Sequence, residues 1–172
     1  MRPGILSLVL PALTLLLCSC SAPPKPAAAP VSSSNLTALP AGKSATLTRA
    51  AGDPLFNLER INETWSAAAH QPVPIKAGDS ITFAGWAVDK PSLSLASAID
   101  LTIDGHPYNA DYGGVRDDVA SYFKTPAYRD SGFRLLVPAG GVAKGRHQVT
   151  VRVISHDGKT YQEGMQIAFD VQ

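Results

Sequence analysis

Strict alternation of apolar and polar side chains, broken at short intervals by Asp-Gly pairs, restricts most of this chain to β-strands. His147, Val149, Val151 and Val153 alternate with Gln148, Thr150 and Arg152. His156-Asp157-Gly158-Lys159 then turns the chain, and Met165, Ile167, Phe169 and Val171 alternate again. An Asp-Gly pair suits a tight hairpin because glycine accepts positive φ at no steric cost. Ile99, Leu101 and Ile103 repeat the pattern, and Asp104-Gly105 turns toward Tyr108 and Ala110 as a second hairpin. Further strands are predicted at 56–61, 73–75, 81–88 and 133–137, for a total of seven or eight. The implied fold class is all-β, an antiparallel sandwich over residues 53–172.

In the segment 81–88, Ile81, Phe83 and Ala87 share one face while Trp86 and Val88 share the other, with Gly85 between them. That arrangement predicts a bulge or burial on both faces, with Trp86 in or near the core. Pro74 lacks a backbone donor and assigns its short strand to an edge. One stretch breaks the period of two. Asp117 can cap a short helix whose apolar face is Val119, Tyr122 and Phe123, and Pro126 stops it. Residues 108–133 thus form a long, partly helical excursion, and long connections are where function tends to sit.

The N-terminus reads as an address. Arg2 precedes an apolar run from Ile5 to Leu17, too short for the ~20 residues that a spanning helix needs, which fits an export signal at 1–19. Leu17-Cys18-Ser19-Cys20 resembles the lipobox of bacterial lipoproteins, with an apolar residue three before the modified cysteine and a small one just before it. That resemblance implies acyl chains on Cys20, a membrane anchor and, with Ser21 rather than Asp following, the outer membrane facing the periplasm, with surface exposure also open. The alternative is an ordinary signal cut after Ala22 or Ala29. Seven of the fourteen prolines lie within the first forty residues, and 20–52 is expected to be a Pro/Ala/Ser-rich disordered tether. Both cysteines lie at the signal junction, so the domain has no disulfide and depends on its core.

Gly85-Trp86-Ala87-Val88-Asp89, Ile103-Asp104-Gly105, Tyr112-Gly113, Arg116-Asp117-Asp118-Val119, Gly132-Phe133, Gly145-Arg146-His147 and Asp157-Gly158 together resemble β-sandwich modules appended to bacterial envelope proteins and glycosyltransferases. The resemblance implies an immunoglobulin-like architecture and brings no assigned activity, since its motifs are mostly turn and core positions.

Chemistry is sparse. No Gly-x-Ser-x-Gly elbow occurs, and His70, His106, His147 and His156 have turn or strand-end explanations. No pair of histidines has a metal-ligand spacing, and Asp100, Asp104, Asp111, Asp117 and Asp118 match no calcium loop. Their ordinary roles are a solvent face for Asp100, a turn for Asp104 and a helix cap for Asp117. No cofactor or metal is expected. A formal charge of +1 leaves no basic surplus for nucleic acid.

What remains is aromatic clustering in the excursion, where Tyr108, Tyr112, Tyr122 and Tyr128 accompany Arg116, Arg129 and Asp130. Exposed, such residues could hold a protein or glycan partner, with Tyr112, Arg116, Tyr128, Arg129 and Asp130 as candidates. The same rings could instead fasten the excursion to the sandwich, which the strand parity of Tyr108 and Tyr112 favours. The expectation is a non-catalytic binding module tethered to the outer membrane. A structural subunit of a secretion, export or cell-wall assembly machine is the alternative, and a hydrolase of envelope polymers comes third.

Overall fold

The computed structural model describes Leu36 and residues 38–172. The expected signal segment, Cys20 and the first part of the expected tether lie outside the described residues. These residues form eleven strands in two sheets. The first sheet runs β1 (Thr48–Arg49), β11 (Thr160–Val171), β10 (Gly145–Ile154), β6 (Ala98–Ile103), β7 (His106–Asn109), with β4 (Val73–Ile75) also beside β11. The second runs β3 (Thr64–Trp65), β2 (Leu55–Ile61), β5 (Ile81–Val88), β9 (Gly132–Val137), β8 (Asp111–Gly114). The wholly antiparallel sandwich expected from the sequence is corrected at one edge, because β1 and β4 both run parallel to β11. Both reach it by long crossings rather than by hairpins, which is the route that gives parallel pairs.

Alternation sets the core. Ile99, Leu101 and Ile103 of β6 and Val149, Val151 and Val153 of β10 face Phe83, Leu135 and Val137 of the second sheet, all at most 4% exposed. Phe83 and Phe169 meet edge to face with centroids 5.6 Å apart, joining the two sheets. Each such fully buried side chain contributes about 1.5–3 kcal/mol. The hairpin at Asp104-Gly105 has positive φ at both residues, 49° and 87°, as a two-residue turn of matching twist requires. Asp104 also closes the core from below. Its Oδ2 lies 2.7 Å from Nδ1 of the fully buried His147, whose Nε2 lies 2.8 Å from the Ala143 carbonyl and whose ring stacks on Phe169.

Leu58 and Ile61 both point inward although three residues apart, which a regular strand forbids. The register shift between Leu58 and Arg60 supplies the extra residue, so the bulge lies on β2 opposite Gly85 and not at Gly85 itself. Glu59 is the residue that this bulge turns outward.

A second, smaller core lies on the outer face of the second sheet, where Val88, Val119 and Tyr128 are buried with Leu55, Trp86 and Phe123 against them. Helix α1 (Asp117–Tyr122) brings these residues onto the sheet. Arg116, not Asp117, holds the N-cap position, and no side chain caps the helix. Tyr122 is corrected as well: it is 81% exposed, because the short helix presents only Val119 and Phe123 to the sheet.

The expected domain start at residue 53 moves toward the N-terminus. Ala41 bridges to Tyr108, Gly42 N–H donates to the Pro107 carbonyl at 3.0 Å, and Thr48 and Arg49 pair with Thr160 and Tyr161. Residues 40–50 therefore form a strap across the outer face of the first sheet, from β7 over β6 and β10 to β11. Beneath it Asp100 is fully buried rather than solvent-facing, accepting from Ser44 N–H at 2.6 Å and Asn109 Nδ2 at 2.9 Å. A Cβ on Gly42 would lie 2.7 Å from the Pro107 backbone, so only glycine permits this approach. Further upstream, Leu36 is buried in the main core. The sequence hid all of this because Pro, Ala and Ser composition reads as tether, whereas the strap is held by backbone hydrogen bonds that need no apolar period.

Candidate functional site

The structure brings the predicted excursion residues together, but mostly to hold one another. Arg116 donates Nη1 and Nη2 to the two Glu59 oxygens at 2.9 and 2.8 Å, and Nε and Nη2 to Asp118 at 2.9 and 2.6 Å. The β2 bulge makes the first of these pairs possible by aiming Glu59 at the excursion. Hydrogen bonds from Arg116, with its charge, hold the Asp118 carboxyl well down at about 2. Arg129 pairs on the surface with Asp117 at 2.9 Å and with Asp130 at 3.4 Å.

The tyrosines diverge. Tyr112 donates its hydroxyl to the Ala87 carbonyl at 2.7 Å and accepts from Ala96 N–H at 3.3 Å, tying the excursion to the end of β5. Burial pushes its phenol up to about 12, against a smaller lowering by the Ala96 N–H. Tyr128 is 2% exposed in the small core, which removes it as a contact for a partner. Tyr108 is half-buried against the main core, leaving Tyr122 as the one exposed ring of the four. A glycan platform needs at least two. The aspartates also disperse: Asp100 to the strap, Asp104 to His147, and Asp117 and Asp118 to separate arginines.

A different surface has the form of a site. At the end of the sandwich where β5, β10 and β11 meet, a cleft of about 510 Å³ lies between the end of the strap, the loop after β5 and the β10–β11 turn. That volume falls within the ~300–1,000 Å³ typical of ligand sites. Ala50, Ala51 and Pro91 supply apolar wall; Asp89, Ser92, His156 and Asp157 supply polar groups. Asp89 is only 6% exposed. Its Oδ2 accepts from Ser92 Oγ at 2.7 Å and from His156 N–H at 2.8 Å, while Oδ1 accepts no hydrogen bond among the described residues. No Lys, Arg or His among them forms an ion pair with it; the cleft's other carboxylate, Asp157, has Lys159 at 3.6 Å. The His156 ring bonds to the Leu95 carbonyl through Nδ1, and Ser155 Oγ donates to Asp157 at 2.7 Å. Hydroxyls here serve carboxylates, and no described Ser–His bond would activate a nucleophile.

Sequence reasoning quoted Asp89 and His156 only as turn and core residues. The available signal was an acidic residue ending a strand buried on both faces, where a carboxylate without a role would be costly.

Among the described residues no helix is long and apolar enough to cross a membrane. No family model and no curated protein matches the chain. Among solved structures the chain is similar to domains 4 and 5 of the S-layer protein SbsC, at 14% identity and a TM-score of 0.29. The likeness covers 69% of this chain and 53% of that one, so the chain spans about half the length of the S-layer structure.

Proposed function

We propose that this chain is an outer-membrane lipoprotein held through Cys20, and that its domain is a non-catalytic interaction module receiving a protein partner at its loop end. The observation that carries this reading is the cleft around Asp89, built from three segments far apart in sequence and backed by a buried carboxylate with a free oxygen. The strand order supports an immunoglobulin-like reading. β2-β5-β9-β8 and β11-β10-β6-β7 follow the A-B-E-D and G-F-C-C′ orders of that fold, with β4 beside the last strand. In that scheme the cleft lies between the B–C and F–G loops, the end that variable domains use for recognition.

Orientation favours the same end. Leu36, where the described chain enters the core, lies by Gly141 and Val137, and Ile81 pairs with Val137 at the start of β5. Asp89 follows the other end of that strand, about 25 Å away at ~3.3 Å per residue. The loop end is thus the end of the sandwich farther from where the described chain enters the core. Two measurements test the proposal. Cys20→Ala should move the protein from the membrane to the soluble fraction, and retention at the membrane would refute the anchor. A photo-crosslinker at Ser92 should capture a discrete partner in the cell envelope that one at Met165 does not; equal labelling from both positions would refute the loop-end site.

A second reading, a structural subunit docking on a larger envelope assembly, draws on the half of the second sheet's outer face that α1 leaves uncovered. There Trp65 and Leu136 are 62% and 48% exposed, with Arg60 stacked over Trp65. Trp65→Ala would weaken assembly under that reading and leave the Ser92 crosslink unchanged under the first.

A further inference from the structure

The loop-end cleft has features that narrow what it can bind, and this step rests on the reading of that cleft as the interaction site. Asp89 is a carboxylate buried to 6% exposure, with no ion-pair partner among the described residues. Ser131 Oγ is the only fully buried side-chain polar atom without a partner among the described residues, so Asp89 Oδ1 stays open to solvent, and a cationic ligand that reaches it gains a charge-assisted hydrogen bond to a carboxylate that has no ion pair. The same charge acts on its surroundings: after burial itself, it is what pushes the Tyr128 phenol up.

Geometry selects among cations. A guanidinium binds a carboxylate best as a fork across both oxygens. Here Oδ2 already accepts two hydrogen bonds, from Ser92 Oγ and His156 N–H, so a single oxygen is open. That suits a point donor. An ammonium has three rotatable N–H groups and can share them between Oδ1 and neighbouring serine oxygens. Calcium needs six to eight oxygen ligands, and no group of three or more acidic, His or Cys side chains gathers among the described residues. The walls fit the rest of such a ligand. Ala50, Ala51 and Pro91 offer the apolar lining along which a four-carbon stem packs while its charged head reaches inward.

We infer that the cleft between the strap end, the loop after β5 and the β10–β11 turn takes a lysine side chain presented by a protein partner, with Asp89 Oδ1 as the acceptor for its ammonium. Asp157, at the cleft's rim and 57% exposed on its side chain, adds a screened second charge.

The test is a titration of the full chain, labelled with nitrogen-15 in detergent micelles, with Nα-acetyl-lysine methylamide. Saturable shifts are expected at the amides of Ser92 and His156, with a dissociation constant in the millimolar range that a single side chain supports, about 1–50 mM. The norleucine counterpart, which keeps the stem and lacks the charge, should shift neither amide. The arginine counterpart should bind about fivefold more weakly. Asp89→Asn retains an acceptor for His156 N–H and should weaken lysine binding about tenfold. Should that variant fold poorly, Ala51→Leu narrows the cleft without touching Asp89 and is expected to abolish the shifts. Equal response to lysine and norleucine, tighter binding of arginine, or displacement of lysine by millimolar calcium chloride would each overturn the assignment. A negative titration with the Ser92 crosslink retained removes the lysine and leaves the loop-end reading standing; loss of the crosslink removes that reading itself.

Discussion

Changing Tyr112 to Phe isolates one oxygen atom. The ring stays, so its packing against the core is kept, and what goes is a hydroxyl that donates to the Ala87 carbonyl at 2.7 Å and accepts from Ala96 N–H at 3.3 Å. A typical hydrogen bond is worth about 1 kcal/mol net, and stranding a buried donor adds about 1–2 kcal/mol. Ala96 is 6% exposed, so its N–H has little water to turn to. The longer of the two bonds is the weaker, which brings the sum to about 2 kcal/mol, or roughly 6–10 °C in Tm for a domain of this size. Urea unfolding followed by tryptophan fluorescence measures it, and the midpoint should fall with m unchanged. A second signature comes from alkaline pH. The folded phenol titrates at about 12 against an ordinary 10.0, chiefly because it is buried. Between those values the unfolded chain has released a proton that the folded one keeps, so stability is whole below pH 10 and declines as pH rises toward 12. Tyr112→Phe should flatten that decline by about one proton, ~1.4 kcal/mol per pH unit at its steepest. A loss under about 0.5 kcal/mol together with an unchanged alkaline slope would refute the bridging role of the hydroxyl.

A chain starting at residue 53 lacks buried Leu36 and the strap over Asp100, and should be at least about 3 kcal/mol less stable than one starting at residue 36, by the same urea assay. Arg116→Lys keeps the charge and loses the fork on Glu59 and Asp118, for an expected cost of about 1–2 kcal/mol, whereas an unchanged midpoint would make those bonds incidental. Asp118 is held at about 2, below its ordinary 3.8, so its stabilisation is present above that value and is lost as pH falls toward 2. Because its side chain is 67% exposed, Asp118→Asn should remove no more than about 1 kcal/mol at pH 7, and the difference from wild type should vanish near pH 2 in acid denaturation. Tyr122→Ser, at the exposed ring, removes an edge contact with Phe123 at a centroid distance of 4.9 Å and should cost less than about 1 kcal/mol, and a larger thermal shift would mean that this ring pair holds the helix on the sheet.

The strands were legible because a half-buried strand writes its period directly into the chain. The segments 73–75 and 81–88 match the observed β4 and β5, and the turns at Asp104-Gly105 and Gly158 take the positive φ their residues suggested. The β2 bulge was not legible, since Leu58 and Ile61 make sense only once Gly85 is seen opposite them. The predicted contact residues do lie in one excursion, where Tyr112, Arg116 and Tyr128 have internal partners while Arg129 and Asp130 stay at the surface. Arg116 was grouped with its neighbours, but its partner Glu59 is 57 positions away. Asp89 lay inside a quoted motif, and nothing local distinguishes a carboxylate that caps a loop from one that backs a cleft.

Residue order alone thus determined the alternating elements, the hairpin turns and the absence of any disulfide in the domain. Those properties depend on neighbours one to four positions apart, through backbone sterics, side-chain period and covalent chemistry. The tertiary structure alone decided that the strap belongs to the domain, that Tyr128 is core while Tyr122 is surface, and that Ala50, Asp89 and His156 line one cleft. Burial and electrostatic pairing are properties of three-dimensional neighbours, and the chain pays no local cost that would reveal them until the two sheets close.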